Sequence, residues 1–143
     1  MRIPHDAVVL VADGRKSLFF RNEGDALFPK LVVEDKSFRP NPAHHEQASD
    51  AAGRAMNTRG SSMTEVDFHA QEEARFAADV AEALKARALA GAFESLIVVA
   101  PPTTLGELRK HCHKEVARRI AAEVAKDLVN LPVDQIERVL AAE

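Results

Sequence analysis

The sequence predicts a single α/β domain with a mixed β-sheet and helices on both faces. Three observations carry that expectation. Two short, continuous apolar runs, Ala7–Ala12 and Ser95–Ala100, have the β-branched composition of strands buried on both sides. Between them, Phe76, Val80, Ala83, Leu84 and Ala88 recur at three- and four-residue steps, the period of a helix that buries one stripe. At 143 residues and 46% hydrophobic, the chain has the size of one domain able to bury roughly two-thirds of its unfolded surface.

The elements follow in order. After the first run, Asp13-Gly14 is a two-residue hairpin signal, since both positions tolerate positive φ. Lys16 to Arg21, centred on Leu18-Phe19-Phe20, returns as a second strand, and Ala26 to Glu34 reads as a third. The long helix begins at Thr64-Glu65-Val66-Asp67, a capping box with Asp in place of Glu or Gln. Glu65, Asp67, Glu72 and Glu73 crowd its first turns, as the helix dipole favours, and Gly91 ends it. Past the second buried run and Pro101-Pro102, Thr103-Thr104 can cap a short helix through about Cys112. Glu115 to Leu128 fits two readings, helix throughout or a short helix to about Ala117 followed by a strand with Ala122 and Val124 on one face. The second is preferred. Pro132 suits the first turn of a final helix, Val133 to Ala142, with Val133, Ile136, Val139 and Leu140 inward. Strands joined through helices imply parallel pairing with right-handed crossovers, whereas the opening hairpin implies antiparallel pairing.

Composition excludes several classes. The N-terminus lacks the pattern of a signal peptide, and no run approaches the roughly 18 apolar residues of a membrane span. The one cysteine, Cys112, cannot form an internal disulfide, which fits a reducing cytoplasm. There is no Trp or Tyr, so the chain is not built as a stacking platform for single-stranded bases. A cytoplasmic protein without membrane contact is expected.

The segment Phe38 to Thr64 interrupts this order. Loops beyond roughly 12–15 residues are uncommon in compact domains and are usually functional or disordered. Arg39, Arg54 and Arg59, with Lys36 just before the segment, outnumber Glu46 and Asp50, so the segment is locally basic in a chain of net charge -3. A basic arm on an acidic protein points to an anionic partner. Gly60-Ser61-Ser62 precedes a helix N-terminus, where backbone N–H groups favour anions. Arg39, Arg54, Arg59, Gly60, Ser61 and Ser62 are therefore the candidate RNA- or anion-binding residues of a mobile loop spanning about 37–64. No Gly-Lys-Ser/Thr ending makes it a nucleotide P-loop.

Other constellations are weaker. The side chains of His111-Cys112-His113 cannot easily converge on one ion, because successive residues point in different directions. His44-His45-Glu46 needs ligands from elsewhere, so no metal or cofactor is expected. No Gly-x-Ser-x-Gly elbow is present, and no serine has an evident His/Asp pair. Asp13 reads as a turn former rather than a catalyst, and Arg118-Arg119 beside Lys126 as part of a mixed-charge face.

Several blocks together resemble a known family. These are Ala12-Asp13-Gly14-Arg15-Lys16, the Phe76-centred helix, Ala100 to Arg109, Lys126-Asp127-Leu128 and the Pro132 helix. The chain resembles the bacterial host attachment proteins, and through them is similar to the middle domain of the archaeo-eukaryotic peptide-chain release factor and its relative Pelota. The resemblance implies a mixed sheet with helices on both faces and a long loop, which in the true release factor carries a catalytic Gly-Gly-Gln. Here the nearest stretch, Asn57-Thr58-Arg59-Gly60-Ser61-Ser62, has one glycine and no glutamine.

Three functions are weighed. The first is a non-catalytic module associated with the ribosome or tRNA, similar to rescue factors, with the loop contacting RNA. The second is a regulatory or scaffold protein with a protein partner, required indirectly for attachment to host cells. The third is a hydrolase using His44, His45 or Arg59. The first is preferred.

Overall fold

The computed structural model describes residues 1–38 and 65–143. In chain order the elements are β1 (Val8–Ala12), β2 (Lys16–Asn22), β3 (Leu31–Phe38), α1 (Glu65–Leu89), β4 (Leu96–Val99), α2 (Pro102–Lys110), α3 (Lys114–Ala117), β5 (Ile120–Val124) and α4 (Val133–Ala141). The five strands form one mixed sheet ordered β3-β2-β1-β4-β5. β1 pairs antiparallel with β2 and parallel with β4, β4 pairs parallel with β5, and β3 closes antiparallel on β2.

Both apolar runs are central. Every residue of β1 is at most 1% exposed and every residue of β4 at most 3%. Their side chains alternate between two cores, as a pleated strand requires. On one face Val8, Leu10, Phe19, Leu96 and Val98 meet Phe76, Val80 and Leu84 of α1, Leu105 and Leu108 of α2, and Val116 of α3. On the other, Val9, Val11, Phe20, Ile97 and Val99 meet Ile3, Ile136 and Leu140. Helices cover both faces, and one α/β domain results.

The ambiguous segment is a four-residue helix and then a strand. The register shift between Leu96 and Ile97 makes Ala121 the extra residue of β5, so Ile120 faces one core while Ala122 and Val124 face the other. Gly91 ends α1 at φ 71°, with its N–H on the Ala88 carbonyl and the Ala92 N–H on that of Arg87. This pair of bonds is the Schellman arrangement.

Other expectations need correction. The third strand starts at Leu31, not Ala26, and runs to Phe38, so Ser37 and Phe38 belong to a strand rather than to a loop. Residues 23–30 are instead a turn folded around Asn22. That side chain is fully buried. Its Nδ2 donates to the carbonyls of Ile3 (2.8 Å), Pro4 (3.2 Å) and Asp25 (3.3 Å), and its Oδ1 accepts from the amides of Gly24 (2.9 Å) and Lys30 (2.8 Å). A β-carbon on Gly24 would lie 2.2 Å from the Phe28 carbonyl oxygen, so only glycine fits this approach.

The first hairpin also differs. Asp13 and Lys16 pair through Asp13 N–H to Lys16 O, and Gly14-Arg15 forms the tip. Asp13 Oδ1 accepts from the amides of Arg15 and Lys16, both at 2.8 Å. This side-chain bridge replaces the positive-φ turn, and the positive-φ residues of the described chain are Asp6 and Gly91. Asp13 is thus a turn former, as expected. Thr103 and Thr104 lie inside α2, whose cap is Pro101 without a side-chain bond. Pro132 is the cap of α4 rather than its first residue, and Val133 is 38% exposed rather than inward. The expected capping residue Thr64 lies outside the described residues.

Two substitutions test this account. Asn22→Ala strips buried backbone groups of their partner and should cost about 2–4 kcal/mol in urea unfolding. Ser17 in β2 is fully buried with its hydroxyl unpartnered. Ser17→Ala removes that unsatisfied group and should leave stability unchanged or raise it by up to about 1 kcal/mol. A clear loss there would mean that the hydroxyl has a partner in solution.

Candidate functional site

β1, β3, β4 and β5 all run in one direction, so they finish at the same end of the sheet. From β1 the chain turns to β2 on one side, and from β4 it crosses by α2 and α3 to β5 on the other. The border between β1 and β4 is therefore a switch point, where open α/β sheets hold ligands outside the strands' carboxyl ends. A cleft of about 520 Å³ lies there, lined by Asp13, Gly14, Arg15, Lys16, Glu73, Pro101, Thr103, Thr104 and Asn130. Its volume falls in the range of small-molecule sites, roughly 300–1,000 Å³.

Each wall has a local cause. The Asp13 bridge holds the hairpin tip and fixes the backbone of Arg15 and Lys16 at the rim. Gly14 lets α1 approach closely, since a β-carbon there would sit 2.7 Å from Glu73 Cγ and Cδ. Pro101, two residues after β4, is the β-region cap of α2, and because Pro102 carries no N–H the first free amides of that helix are those of Thr103 and Thr104. Those groups have no partner within a helix, and no side chain caps them.

The same end of the sheet flanks residues 39–64. Phe38, the last residue of β3, pairs with Lys16 on the cleft's rim. α1 runs back from Glu65, and its first buried residue is Phe76. Because Glu73 already lies against Gly14, the eight residues from Glu65 to Glu72 extend about 12 Å beyond the hairpin. Below this overhang, Arg87 ties α1 to β3. It bonds Glu34 at 3.4 Å and Asp35 at 3.2 Å, and its guanidinium stands 4.3 Å over the Phe19 ring. Arg21 Nε donates to Glu34 as well, which holds the Arg21 guanidinium above its ordinary pKa.

The expected binding residues Arg39, Arg54, Arg59, Gly60, Ser61 and Ser62 lie outside the described residues, as do His44 and His45. His111, Cys112 and His113 do not act together. His111 is the cap residue at the end of α2, and His113 caps α3 through Nδ1, which accepts from the Glu115 amide at 3.0 Å. Burial, and then the charge of Glu123, push the Cys112 thiol above its ordinary pKa, so it is a poor nucleophile near neutral pH. Beside it a void of about 20 Å³ under α2, lined mostly by core residues, holds no more than a water molecule. Among the described residues no group of three His, Cys, Asp or Glu side chains is placed to hold a metal, and no helix is long and apolar enough to cross a membrane.

Sequence reading passed over Arg15, Lys16, Glu73, Thr103, Thr104 and Asn130 as site residues. Their signal was positional. Five of the six follow a strand or open the helix after one, which is where an α/β sheet exposes free backbone groups.

Fold and cleft together define a small mixed-sheet α/β module with a ligand-sized crevice at its strand ends. The chain matches the model of bacterial archaeo-eukaryotic release factor family 12 over residues 6–140. It belongs to that release-factor-like family. Membership bears out the resemblance to release factors and points to a translation-related role; it says nothing of host attachment. Among curated proteins none matches the chain.

The Arg87 tie is testable. Arg87→Ala should cost about 1–2 kcal/mol of stability, combining lost ion pairs with lost stacking on Phe19. Arg87→Lys should recover only part of it, because an ammonium cannot bridge two carboxylates while lying flat on a ring.

Proposed function

We propose that this protein is a translation-associated binding module of the cytoplasm that docks on ribosomal RNA or tRNA and does not hydrolyse peptidyl-tRNA. The carrying observation is where the chain enters and leaves residues 39–64. Phe38 and the α1 overhang both stand at the sheet end where the strands finish, and the release-factor middle domain that the sequence resembles has a long loop at the corresponding place. That segment carries Arg39, Arg54 and Arg59 against Glu46 and Asp50, which supports phosphate contact. It contains no Gly-Gly-Gln, nor does any other part of the chain. The residue that would position water on the peptidyl-tRNA ester is missing, so docking is the function left to it.

A second reading is a scaffold with a protein partner. Leu27 (64% exposed), Phe28 (77%) and Val33 (48%) favour it, since they place large apolar side chains in solvent near the sheet edge at β3.

One titration separates the two. Sedimentation with ribosomes across a salt series should show binding that weakens as salt rises. Replacing Arg39, Arg54 and Arg59 together by Ala should flatten that slope by about two to three units, slightly less than one per lost phosphate contact. Exposed arginines add little to folding, so the melting temperature should hold. An unchanged slope would remove this segment from the binding surface and leave the scaffold as the better reading.

A further inference from the structure

We infer that His113 is an acid-sensitive catch: neutral, its ring caps α3 and pins the turn from α2 to β5, and protonated, it lets that turn go. The ring Nδ1 accepts from the Glu115 N–H at 3.0 Å. The donor is a backbone amide, so Nδ1 must be unprotonated for the bond to exist. Helix caps are ordinarily Ser, Thr, Asp or Asn, whose side-chain oxygens still accept in mild acid. Histidine is the side chain whose ordinary charge change falls between about pH 5 and pH 8. Once protonated, its Nδ1 carries a hydrogen, and two donors then face each other. The Glu115 amide is left without its partner.

What the ring holds gives the catch its reach. A helix of four residues has no stability of its own, so α3 depends on whatever fastens its ends. At its start the His113 carbonyl accepts from the amides of Val116 and Ala117, both at 2.9 Å, and the ring supplies the third bond. Val116, 1% exposed, shares a core with Leu96 and Val98. Just beyond, the Arg119 carbonyl accepts from the Leu96 N–H at 2.9 Å, and the Arg119 guanidinium bonds the carbonyls of Phe93 at 3.1 Å and Glu115 at 2.6 Å. The catch thus sits where α3 fastens the starts of β4 and β5, at the sheet end opposite the cleft.

The surrounding charges do not relieve a protonated ring. Lys114 is its neighbour in the chain. Glu115 commits Oε1 to Arg119 and Arg118, which hold its carboxyl below the usual range. From β5, Glu123 is bonded by Arg109 of α2. α1 brings Ala81 and Leu84 to this corner, and Glu82 and Lys85 beside them pair with each other. His111 works the other way, since its protonation favours the end of α2. The cap stabilises the folded chain only while the ring is neutral. Its contribution is therefore present above the imidazole range and is lost as pH falls through it. His113 is half-buried, so water partly replaces it as acceptor and the effect is modest.

Urea unfolding of the full chain at about pH 8 and about pH 5, on either side of the ordinary imidazole titration, tests this. His113→Asn keeps an acceptor at the cap and does not titrate. Over that interval the unfolding constant of the native chain should rise about five-fold more than that of His113→Asn, the loss expected of one cap. His111, the other histidines and the carboxylates are common to both chains and cancel in the comparison. His113→Ala lacks the cap at either pH, so it should be less stable than His113→Asn throughout while following the same pH dependence. Nitrogen NMR of the imidazole rings in the native chain, at about pH 8, should find Nδ1 of His113 unprotonated and the hydrogen on Nε2. That spectrum needs no variant and decides the matter even where a substitution disturbs folding. Parallel pH dependences for the native chain and His113→Asn, His113→Ala as stable as His113→Asn, or a hydrogen on Nδ1 would each overturn the catch.

Discussion

Everything in this fold is organised around one strand that has no exposed side. Val8 to Ala12 are at most 1% exposed, with apolar side chains on both faces and a hydrogen-bonded strand on each edge. Five consecutive apolar residues cannot be buried on one face only, because the alternate side chains would remain in water. A second layer is thus obligatory. α1, α2 and α3 supply one cover, and the N-terminal segment with α4 supplies the other. The chain accordingly returns to the far face for its last helix, where Ile136 and Leu140 fill the space over Val9 and Val11.

The cleft is a by-product of the same arrangement. A central strand flanked on one side by a hairpin partner and on the other by a parallel partner sends its connections apart, and a gap opens where they diverge. The hairpin tip, the start of α2 and the loop after β5 border that gap. Each brings backbone groups that regular structure leaves unpaired. The sheet edge is handled differently. Leu31, at the start of the edge strand β3, donates its N–H to Glu137 of α4 at 2.8 Å, and a bulge at Glu34 interrupts the pairing of β3 with β2. Such features discourage the addition of a foreign strand.

The sequence made the fold legible where hydrophobic pattern decides structure. The runs of β1 and β4, the stripe of α1 and its stop at Gly91 all followed from periodicity and one backbone preference. Even the change from helix to strand near Ala117 could be read, because Ala122 and Val124 alternate. Pattern failed where one polar side chain sets the geometry. Nothing local marks Asn22 as the hub of residues 23–30, since its partners include Ile3 and Pro4 far back in the chain. Ala26 to Phe28 consequently read as strand. Asp13 misled in the opposite sense: its tendency to bend the chain was seen, but its carboxylate, not positive φ, does the bending. The cleft was illegible for a related reason. Arg15, Glu73, Thr104 and Asn130 are far apart in sequence, and only the sheet order brings them together.

The acidic start of α1 bears on any anion that approaches this end of the molecule. Glu65, Asp67 and Glu72 lie on the α1 overhang, so a strand of RNA approaching along the helix would meet their repulsion first. Screening confines that repulsion to about a Debye length, near 8 Å at physiological salt. The overhang of about 12 Å exceeds this distance, so charge at its tip is largely screened from the cleft at its base, whereas Glu72, next to Glu73, is not. Asp13 and Glu73 both line the cleft, and Glu73 lies over Gly14. An anion reaching the start of α2 meets both of these carboxylates along with Arg15 and Lys16.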